Sequence, residues 1–182
     1  MNKPTTLGLS PTFTEFSTRP THNARKKEIE RKFLVENQGD DGWRNAECSE
    51  IRQGYLSIDK HRTVRLRIAG DTAYLTIKGI TEGATREEYE YPIPVTHAGE
   101  MLDTLCLRPL IEKRRYRVEY GGLIWEVDEF YGDNAGLIVA EGELESAQQS
   151  FDKPPWAGKE VTDDPRYYNA NLVNTPYLKW QI

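Results

Sequence analysis

The chain has 182 residues, 37% hydrophobic and 29% charged, which suits one globular domain with a larger charged fraction than is usual. Its formal net charge of −5 argues against general nucleic-acid binding through a basic face but is compatible with a local cationic pocket. Because Cys48 and Cys106 form no metal or disulfide spacing, and no run resembles a secretory signal or membrane span, we expect a cytoplasmic protein.

The first residues differ in composition from the rest of the chain. Residues 1–24 are rich in Thr, Ser and Pro and show no hydrophobic period. Such a composition is typical of a flexible leader, so we expect the folded domain to span residues 25–182. The leader is also mildly basic and poor in acids, which leaves a transit peptide as an alternative.

Alternation with a period of two residues predicts about eight strands, each with its charges on one face. In chain order these segments are residues 28–35, 50–57, 62–70, 72–79, 85–93, 110–120, 123–130 and 137–146. Glycine-bearing turns at Gly70-Asp71, at Gly83, at Gly121-Gly122 and in GDNAG separate many of them, which is typical of hairpins. Helices are predicted only at 96–106, with Thr96 as a cap, and at 145–151, before Pro154 and Pro155. The fold class is therefore α+β, dominated by an antiparallel sheet.

The charged faces of these strands allow two arrangements. An antiparallel sheet can turn one salt-bridged face to solvent. Alternatively, about eight strands can close into a barrel whose charged faces line a wet tunnel, with helices and loops covering the apolar outer face. Alternate cations on neighbouring strands repel one another unless they share an anion, which favours the tunnel. The basic residues concerned are Lys32, Arg65, Arg67, Lys78, Lys113, Arg115 and Arg117.

A cluster of arginines and lysines suits a triphosphate, because guanidinium groups bind two oxygens and ammonium groups act as point charges. Carboxylates on the same faces give a second set of candidates, for Mg²⁺ or Mn²⁺, which prefer hard oxygen ligands. These acids are Glu28, Glu30, Glu88, Glu90, Asp128, Glu141 and Glu143. The pairs Glu28–Glu30 and Glu141–Glu143 are two residues apart, so each can present two oxygens to one ion.

Several quoted motifs occur in one order along the chain. EIERKFLV carries an ExExK signature, and RQGYLS, TVRLRI, AYLTIKG, TREEYEY, IEKRRYRV, WEVDEF, LIVAEGELES and GKEVTDDPRYYN follow it. Over residues 28 to about 172 this order resembles the CYTH family, also called triphosphate tunnel metalloenzymes. The resemblance implies an eight-stranded antiparallel β-barrel forming an open tunnel with a polar interior, and divalent-metal-dependent action on triphosphate-containing substrates.

The resemblance also implies roles for individual residues. Substrate phosphates are expected to bind Lys32, Arg65, Arg67, Lys78, Lys113 and Arg115, with Arg117 on the same strand face joining them. Metal is expected at Glu28, Glu30, Glu88, Glu90, Asp128, Glu141 and Glu143, with Glu141 and Glu143 as the strongest candidates. Catalytic roles are expected for Glu28, Tyr55 and Lys113. Nearby cations would depress the pKa of Lys113, so that it could activate water, or else it is one more phosphate ligand.

The leading prediction is hydrolysis of inorganic triphosphate to pyrophosphate and phosphate. The alternatives are a class IV-type adenylyl cyclase, a thiamine or nucleoside triphosphatase, and a module that binds polyphosphate or nucleotide without turnover. No nucleic-acid or membrane partner is expected, whereas a homodimer is left open. The C-terminal tail is expected to dock through Tyr167, Tyr168 and Leu172, which could bring Lys159 and Arg166 to the site.

Overall fold

The computed structural model describes residues 29–36, 41–82, 85–146 and 148–180. Its strands are β1 Ile29–Val35, β2 Glu47–Ser57, β3 Arg62–Ala69, β4 Thr72–Glu82, β5 Thr85–Pro92, β6 Ile111–Tyr120, β7 Leu123–Phe130, β8 Ile138–Leu144 and β9 Ala157–Glu160. The helices are α1 Val95–Thr104 and α2 Asn169–Asn174, with short 3₁₀ turns at Gly42–Asn45, Gly132–Asn134, Pro165–Tyr167 and Tyr177–Lys179. Across the described ranges, no helix is both long and apolar enough to cross a membrane. The predicted leader, the start of the domain at residue 25 and Glu28 lie outside the described residues.

The strands form one antiparallel sheet in the order β5-β4-β3-β2-β6-β7-β8-β1-β9. The antiparallel class is confirmed, but the predicted eight-stranded barrel is wrong in strand number, and hydrogen bonds between the described strands do not close the sheet. Among the described residues β5 and β9 are edge strands that do not pair with each other. The additional strand, β9, pairs with β1 through Phe33 and Val35. This strand has only four residues, too few to show a period-two alternation in the sequence.

Glycines form two of the hairpin turns as predicted. The β6–β7 turn has Gly121 and Gly122 at φ values of 60° and 76°, and Gly70 in the β3–β4 turn has a φ of 54°. Two-residue hairpin loops need such positive φ values because their twist matches that of the strands. Gly83, predicted as a further turn residue, lies outside the described residues.

Both helix predictions need correction. The first helix begins at Val95, after Pro94 in an extended conformation, so Thr96 lies inside the helix and is not its cap. No helix occurs among the described residues of 145–151. The second helix lies instead at Asn169–Asn174.

One face of the sheet is apolar over most of its extent, as predicted, and connecting segments cover it; it is called the outer face below. The largest outer cluster contains Phe33, Trp43, Tyr116, Trp125, Val127, Ala140, Trp156 and Ala157. A second cluster packs α1 on the sheet through Leu66, Leu102, Cys106 and Leu110. The opposite face carries the alternate, charged residues and is called the inner face below.

The C-terminal segment packs on one end of the inner face. Tyr167, Leu172 and Val173 form a buried cluster with sheet residues that share the parity of the charged positions. Those sheet residues are Tyr55, Ile111, Phe130, Leu137 and Val139. Docking through Tyr167 and Leu172 is thus confirmed. Tyr168 is 42% exposed and donates a hydrogen bond to the Thr162 carbonyl, and its ring centroid lies 6.0 Å from Lys32 Nζ on β1.

The close packing of α1 leads to a stability prediction at Gly54. A Cβ atom there would lie 2.8 Å from Cys106 Cβ and 2.9 Å from Leu102 Cδ2. Gly54→Ala is therefore expected to destabilise the fold by about 1–3 kcal/mol through overpacking. Gly99→Ala is the control, because its Cβ meets nothing within 4 Å and helix propensity should stabilise it by about 0.5–1 kcal/mol. Urea denaturation measures both, and an unchanged midpoint for Gly54→Ala would contradict the packing.

Candidate active site

Asp128 lies at the centre of the inner face, directly opposite Arg115 in the β6–β7 register. Its carboxylate accepts hydrogen bonds from Arg115 Nε and Nη2, both at 2.7 Å, and from Lys113 Nζ. Burial alone would raise the pKa of Asp128, but the charges and hydrogen bonds of Lys113 and Arg115 hold it below its usual value. Asp128, which is 1% exposed, therefore stays ionised and separates two cations that would otherwise repel each other.

Lys113 is almost completely enclosed, with a side chain 2% exposed. Its ammonium group lies 5.4 Å from the centroid of the Phe130 ring. Burial lowers the pKa of Lys113, and the neighbouring Asp128 carboxylate opposes this shift. Burial thus favours the neutral amine that a general base requires, whereas Asp128 favours the charged form that a phosphate ligand requires.

Arg115 links Asp128 to further charges of the inner face. Its guanidinium binds Glu126, and its Nη2 lies 3.1 Å from Glu141 Oε2. Although burial alone would lower the pKa of Arg115, Asp128 and the two glutamates raise it. Glu141 also binds Lys32 Nζ, and the Lys32 charge helps to hold the pKa of Glu141 below its usual value despite burial. A continuous ion-pair network therefore joins strands β1, β8, β7 and β6.

A second group of charges lies on β3, β4 and β5. Thr76 is fully buried, accepts a hydrogen bond from Arg65 Nη2 at 3.1 Å and donates one to Glu90 Oε2 at 2.8 Å. The same Glu90 oxygen lies 3.4 Å from Arg65 Nη2 and 3.7 Å from Arg67 Nη2. Glu90 is therefore bound more closely by the threonine than by either arginine.

The two groups of charges act on each other across the inner face. Burial lowers the pKa of Arg67, and Arg65 and Arg115 lower it further, while Glu90 and Glu126 oppose the shift. The Nε atoms of Arg65 and Arg67 are buried and have no hydrogen-bond partner in the described part of the chain. Unpartnered buried donors on positively charged groups are costly. An anion bound between the two arginines would satisfy both of them.

Two predicted phosphate ligands lie further from this centre. Lys78 Nζ is 2.6 Å from Glu88 Oε2, and both side chains are partly exposed. Arg117 is exposed, and within the described ranges it forms no ion pair. Both residues have the sequence parity of the inner face, but they lie towards the edges of that face.

The predicted metal ligands divide into two sets. Glu88, Glu90, Asp128 and Glu141 already contact cationic side chains. Glu30 and Glu143 form the second set because they lie directly opposite each other in the β1–β8 register, and each has a contact of its own as well. Opposed carboxylates repel each other, and their hard oxygens fit a divalent cation that takes its remaining ligands from water and phosphate. The described residues contain no group of three or more acids, cysteines or histidines that could hold a metal by itself, and Glu28 lies outside them.

Tyr55 lies between the charged and apolar parts of the inner face. It is opposite Arg65 in the β2–β3 register, while its side chain is buried in the apolar cluster of the C-terminal segment and its hydroxyl accepts a hydrogen bond from Gln53 Nε2 at 3.0 Å. Two other predicted residues are not brought to the charged centre. Arg166 binds Asp164 and lies over the Tyr167 and Trp180 rings. Lys159 is exposed on β9. The hypothesis that Lys159 and Arg166 reach the site therefore has no contact in the described structure to support it.

Two residues of the site were not among the predicted ones. Glu126 shares the inner face with Asp128, and Thr76 shares it with Lys78, so strand parity could have identified both. Neither residue stands out by type, because a glutamate or a threonine on a strand is usually a solvated one. The signal that reveals them is their contact with Arg115 and Arg65 respectively.

The fold and the site together define a class of protein: an antiparallel sheet whose polar inner face gathers arginines, lysines and carboxylates. Residues 26–172 match the CYTH domain. Over 155 residues the chain is 52% identical to an inorganic triphosphatase of Acetivibrio thermocellus, covering 85% of this chain and 98% of that relative. It is 40% identical over 150 residues to an inorganic triphosphatase of Nitrosomonas europaea, covering 80% and 96%.

A solved structure agrees with the sequence relatives. The crystal structure of an inorganic triphosphatase superposes with a TM-score of 0.63 at 36% identity, covering 80% of this chain and 93% of the other. The chain therefore belongs to the CYTH domain family.

Proposed function

We propose that this protein hydrolyses inorganic triphosphate to pyrophosphate and phosphate, with Mg²⁺ or Mn²⁺ as cofactor. The observation that carries the proposal is the convergence of Arg65, Arg67 and Arg115 on one inner face, where the buried Nε atoms of Arg65 and Arg67 have no hydrogen-bond partner among the described residues. Guanidinium groups match phosphate oxygens in charge and geometry. The match to this chain extends over almost the whole length of two relatives, both of which are inorganic triphosphatases. This supports the same substrate for this protein.

The basic residues would bind and orient the polyphosphate chain. Arg65, Arg67 and Arg115 would bind phosphoryl oxygens, with Lys32 and Lys78 as further charges. Positioning and electrostatic stabilisation of the developing charge are most of what phosphoryl transfer requires. Glu90, Asp128 and Glu141 pair with cations of the same face, so the substrate would compete with internal carboxylates for them.

The acids at the β1–β8 pair would hold the metal. Glu30 and Glu143, with Glu28 as the resemblance implies, supply oxygen ligands. When bound, the divalent ion would neutralise phosphate charge and lower the pKa of a bound water. Hydrolysis then joins the water oxygen to the terminal phosphorus and breaks the bridging P–O bond, whose electron pair leaves with pyrophosphate.

Lys113 is proposed as the group that accepts the proton of the attacking water. The lowered pKa of Lys113, caused by burial, supports this role, whereas its contact with Asp128 supports a role as phosphate ligand. For the base role, Lys113→Ala should reduce kcat by about 100-fold or more with tripolyphosphate binding retained. Lys78→Ala is the comparison, since its predicted role is binding alone and its loss should act on KM. Loss of tripolyphosphate binding in Lys113→Ala would reject the base role.

The function itself is tested by a substrate panel. Phosphate and cyclic-nucleotide release are measured with tripolyphosphate, ATP and thiamine triphosphate, each with Mg²⁺, with Mn²⁺ and with a chelator. We expect phosphate release to be fastest from tripolyphosphate and to require a divalent ion. Cyclic AMP from ATP would identify a cyclase, preference for thiamine triphosphate would identify that hydrolase, and tight binding without release would identify a non-catalytic module. A cytoplasmic location and a homodimer stay predictions.

A further inference from the structure

Thr76 occupies an unusual position for a threonine, in the middle of β4 with its side chain completely buried on a charged face. It lies opposite Arg65 on one neighbouring strand and opposite Glu90 on the other. A hydroxyl can donate one hydrogen bond and accept another. Thr76 Oγ1 does both, accepting from Arg65 Nη2 at 3.1 Å and donating to Glu90 Oε2 at 2.8 Å.

The distances around Glu90 show what this hydroxyl does. Elsewhere on the inner face, charged pairs are close: Arg115 Nη2 lies 2.7 Å from Asp128, and Lys78 Nζ lies 2.6 Å from Glu88. Glu90, by contrast, stays 3.4 Å from Arg65 and 3.7 Å from Arg67. Its nearest donor is the Thr76 hydroxyl at 2.8 Å, whereas Arg65 Nη2 donates to the same oxygen only at 3.4 Å. The neutral hydroxyl therefore takes the position that a guanidinium group would occupy in a close ion pair.

The same geometry leaves the arginines incompletely satisfied. The Nε atoms of Arg65 and Arg67 are buried and have no hydrogen-bond partner among the residues that the structure describes. A closer Glu90 would neutralise the pair with an internal anion. At its observed position Glu90 partly compensates the charges of Arg65 and Arg67 and leaves guanidinium donors for an anion from outside the protein.

We propose that Thr76 is a positioning residue of the polyanion site. Its hydroxyl keeps Glu90 from closing on Arg65 and Arg67, so that both guanidinium groups stay available to a phosphate chain. This inference rests on the proposed function, since it concerns how the site binds tripolyphosphate. It also predicts that Thr76 acts on binding and not on the bond-breaking step.

The test compares Thr76→Val, which keeps the shape but removes the hydroxyl, with Thr76→Ser, which keeps the hydroxyl. Tripolyphosphate binding is measured by calorimetry in the presence of a chelator, so that no metal site contributes. We expect Thr76→Val to weaken binding about tenfold, the effect typical of a hydrogen bond to a charged group. In steady-state assays KM should rise by a similar factor with kcat within about twofold, and Thr76→Ser should restore both.

A double variant tests whether Thr76 acts through Glu90. If the defect of Thr76→Val arises because Glu90 closes on the arginines, adding Glu90→Gln should remove most of it, a coupling that independent effects would not produce. Thr72→Val is the matched control, because Thr72 is exposed on the same strand and its hydroxyl donates only to the Ala69 carbonyl. Thr72→Val should bind as the wild type does.

The outcomes separate the inference from the proposed function. If Thr76→Val binds tripolyphosphate as tightly as the wild type, only the role of the hydroxyl is overturned. The same holds if Thr76→Ser binds as weakly as Thr76→Val. A wild-type protein that binds no tripolyphosphate with the chelator but releases phosphate from it with Mg²⁺ would overturn the inference alone, and one that does neither would overturn both. Thermal denaturation checks that each variant is folded, and Thr76→Ala replaces the valine variant if the latter does not fold.

Discussion

Replacing Asp128 with alanine is expected to lower the free energy of unfolding by about 3–5 kcal/mol. The reason is that Asp128 is the shared partner of Lys113 and Arg115, and its removal leaves a fully enclosed lysine beside an arginine with less compensation. Breaking a buried ion pair from one side costs more than the pair contributes, because the remaining charge stays desolvated. Chemical denaturation of Asp128→Ala and wild type at neutral pH measures the difference.

Glu126→Ala is the matched control for that experiment. Glu126 also binds Arg115, but its side chain is 37% exposed and water can replace it. Exposed ion pairs contribute less than about 1 kcal/mol, so the control should lose little stability. Equal losses in the two variants would show that burial of Asp128 is not the cause.

Asp128 also predicts a pH dependence with a definite sign. Its pKa is lower in the folded protein than in the unfolded chain, because Lys113 and Arg115 stabilise the ionised form. Its stabilising contribution is therefore fully present above the unfolded pKa of about 3.9 and is lost as the pH falls through the lower, folded value. The stability difference between wild type and Asp128→Asn should accordingly shrink in acid. A difference that grows there would contradict the direction of the shift.

Much of the site could be predicted because strand parity is a local property. Lys113 and Arg115 are two residues apart, as are Glu126 and Asp128, so each pair lies on one face wherever the strands go. Strand parity does not show by itself that the charged faces point inward. It depends on which face the aromatic residues cover, and Trp43 and Trp156 reach the outer face from segments with no strand pattern.

The pairing of charges could not be predicted, because the sequence supplies acids and bases without saying which meet. Glu141, which the resemblance makes one of the two strongest metal candidates with Glu143, also binds Lys32 and Arg115. The choice depends on distances across strands β1, β8 and β6, which are far apart in the chain. The same holds for β9, a strand that exists because it pairs with Phe33 and Val35.

Replacing Arg115 with alanine is expected to reduce kcat/KM for tripolyphosphate by about 100- to 1000-fold. Arg115 contacts Asp128, Glu126 and Glu141, and its charge reaches Arg67 across the inner face, so it stands where the two groups of cations converge. Its loss removes a guanidinium that would bind the phosphoryl group and also releases carboxylates that would repel the substrate. Arg115→Lys should recover only part of the activity, because an ammonium group cannot bind two oxygens in one plane.

Arg114→Ala provides the control from the adjacent position. Arg114 lies on the opposite face of the same strand, where it pairs with the exposed Glu50 and stacks near the Tyr131 ring. Exposed pairs contribute little, so its kcat/KM should stay within about twofold of the wild-type value. Phosphate release from tripolyphosphate with saturating Mg²⁺ measures all three variants, at a temperature where circular dichroism shows each to be folded. Since Arg114 and Arg115 are adjacent arginines on opposite faces of β6, a larger loss in Arg114→Ala would mean that the site lies on the other side of the sheet.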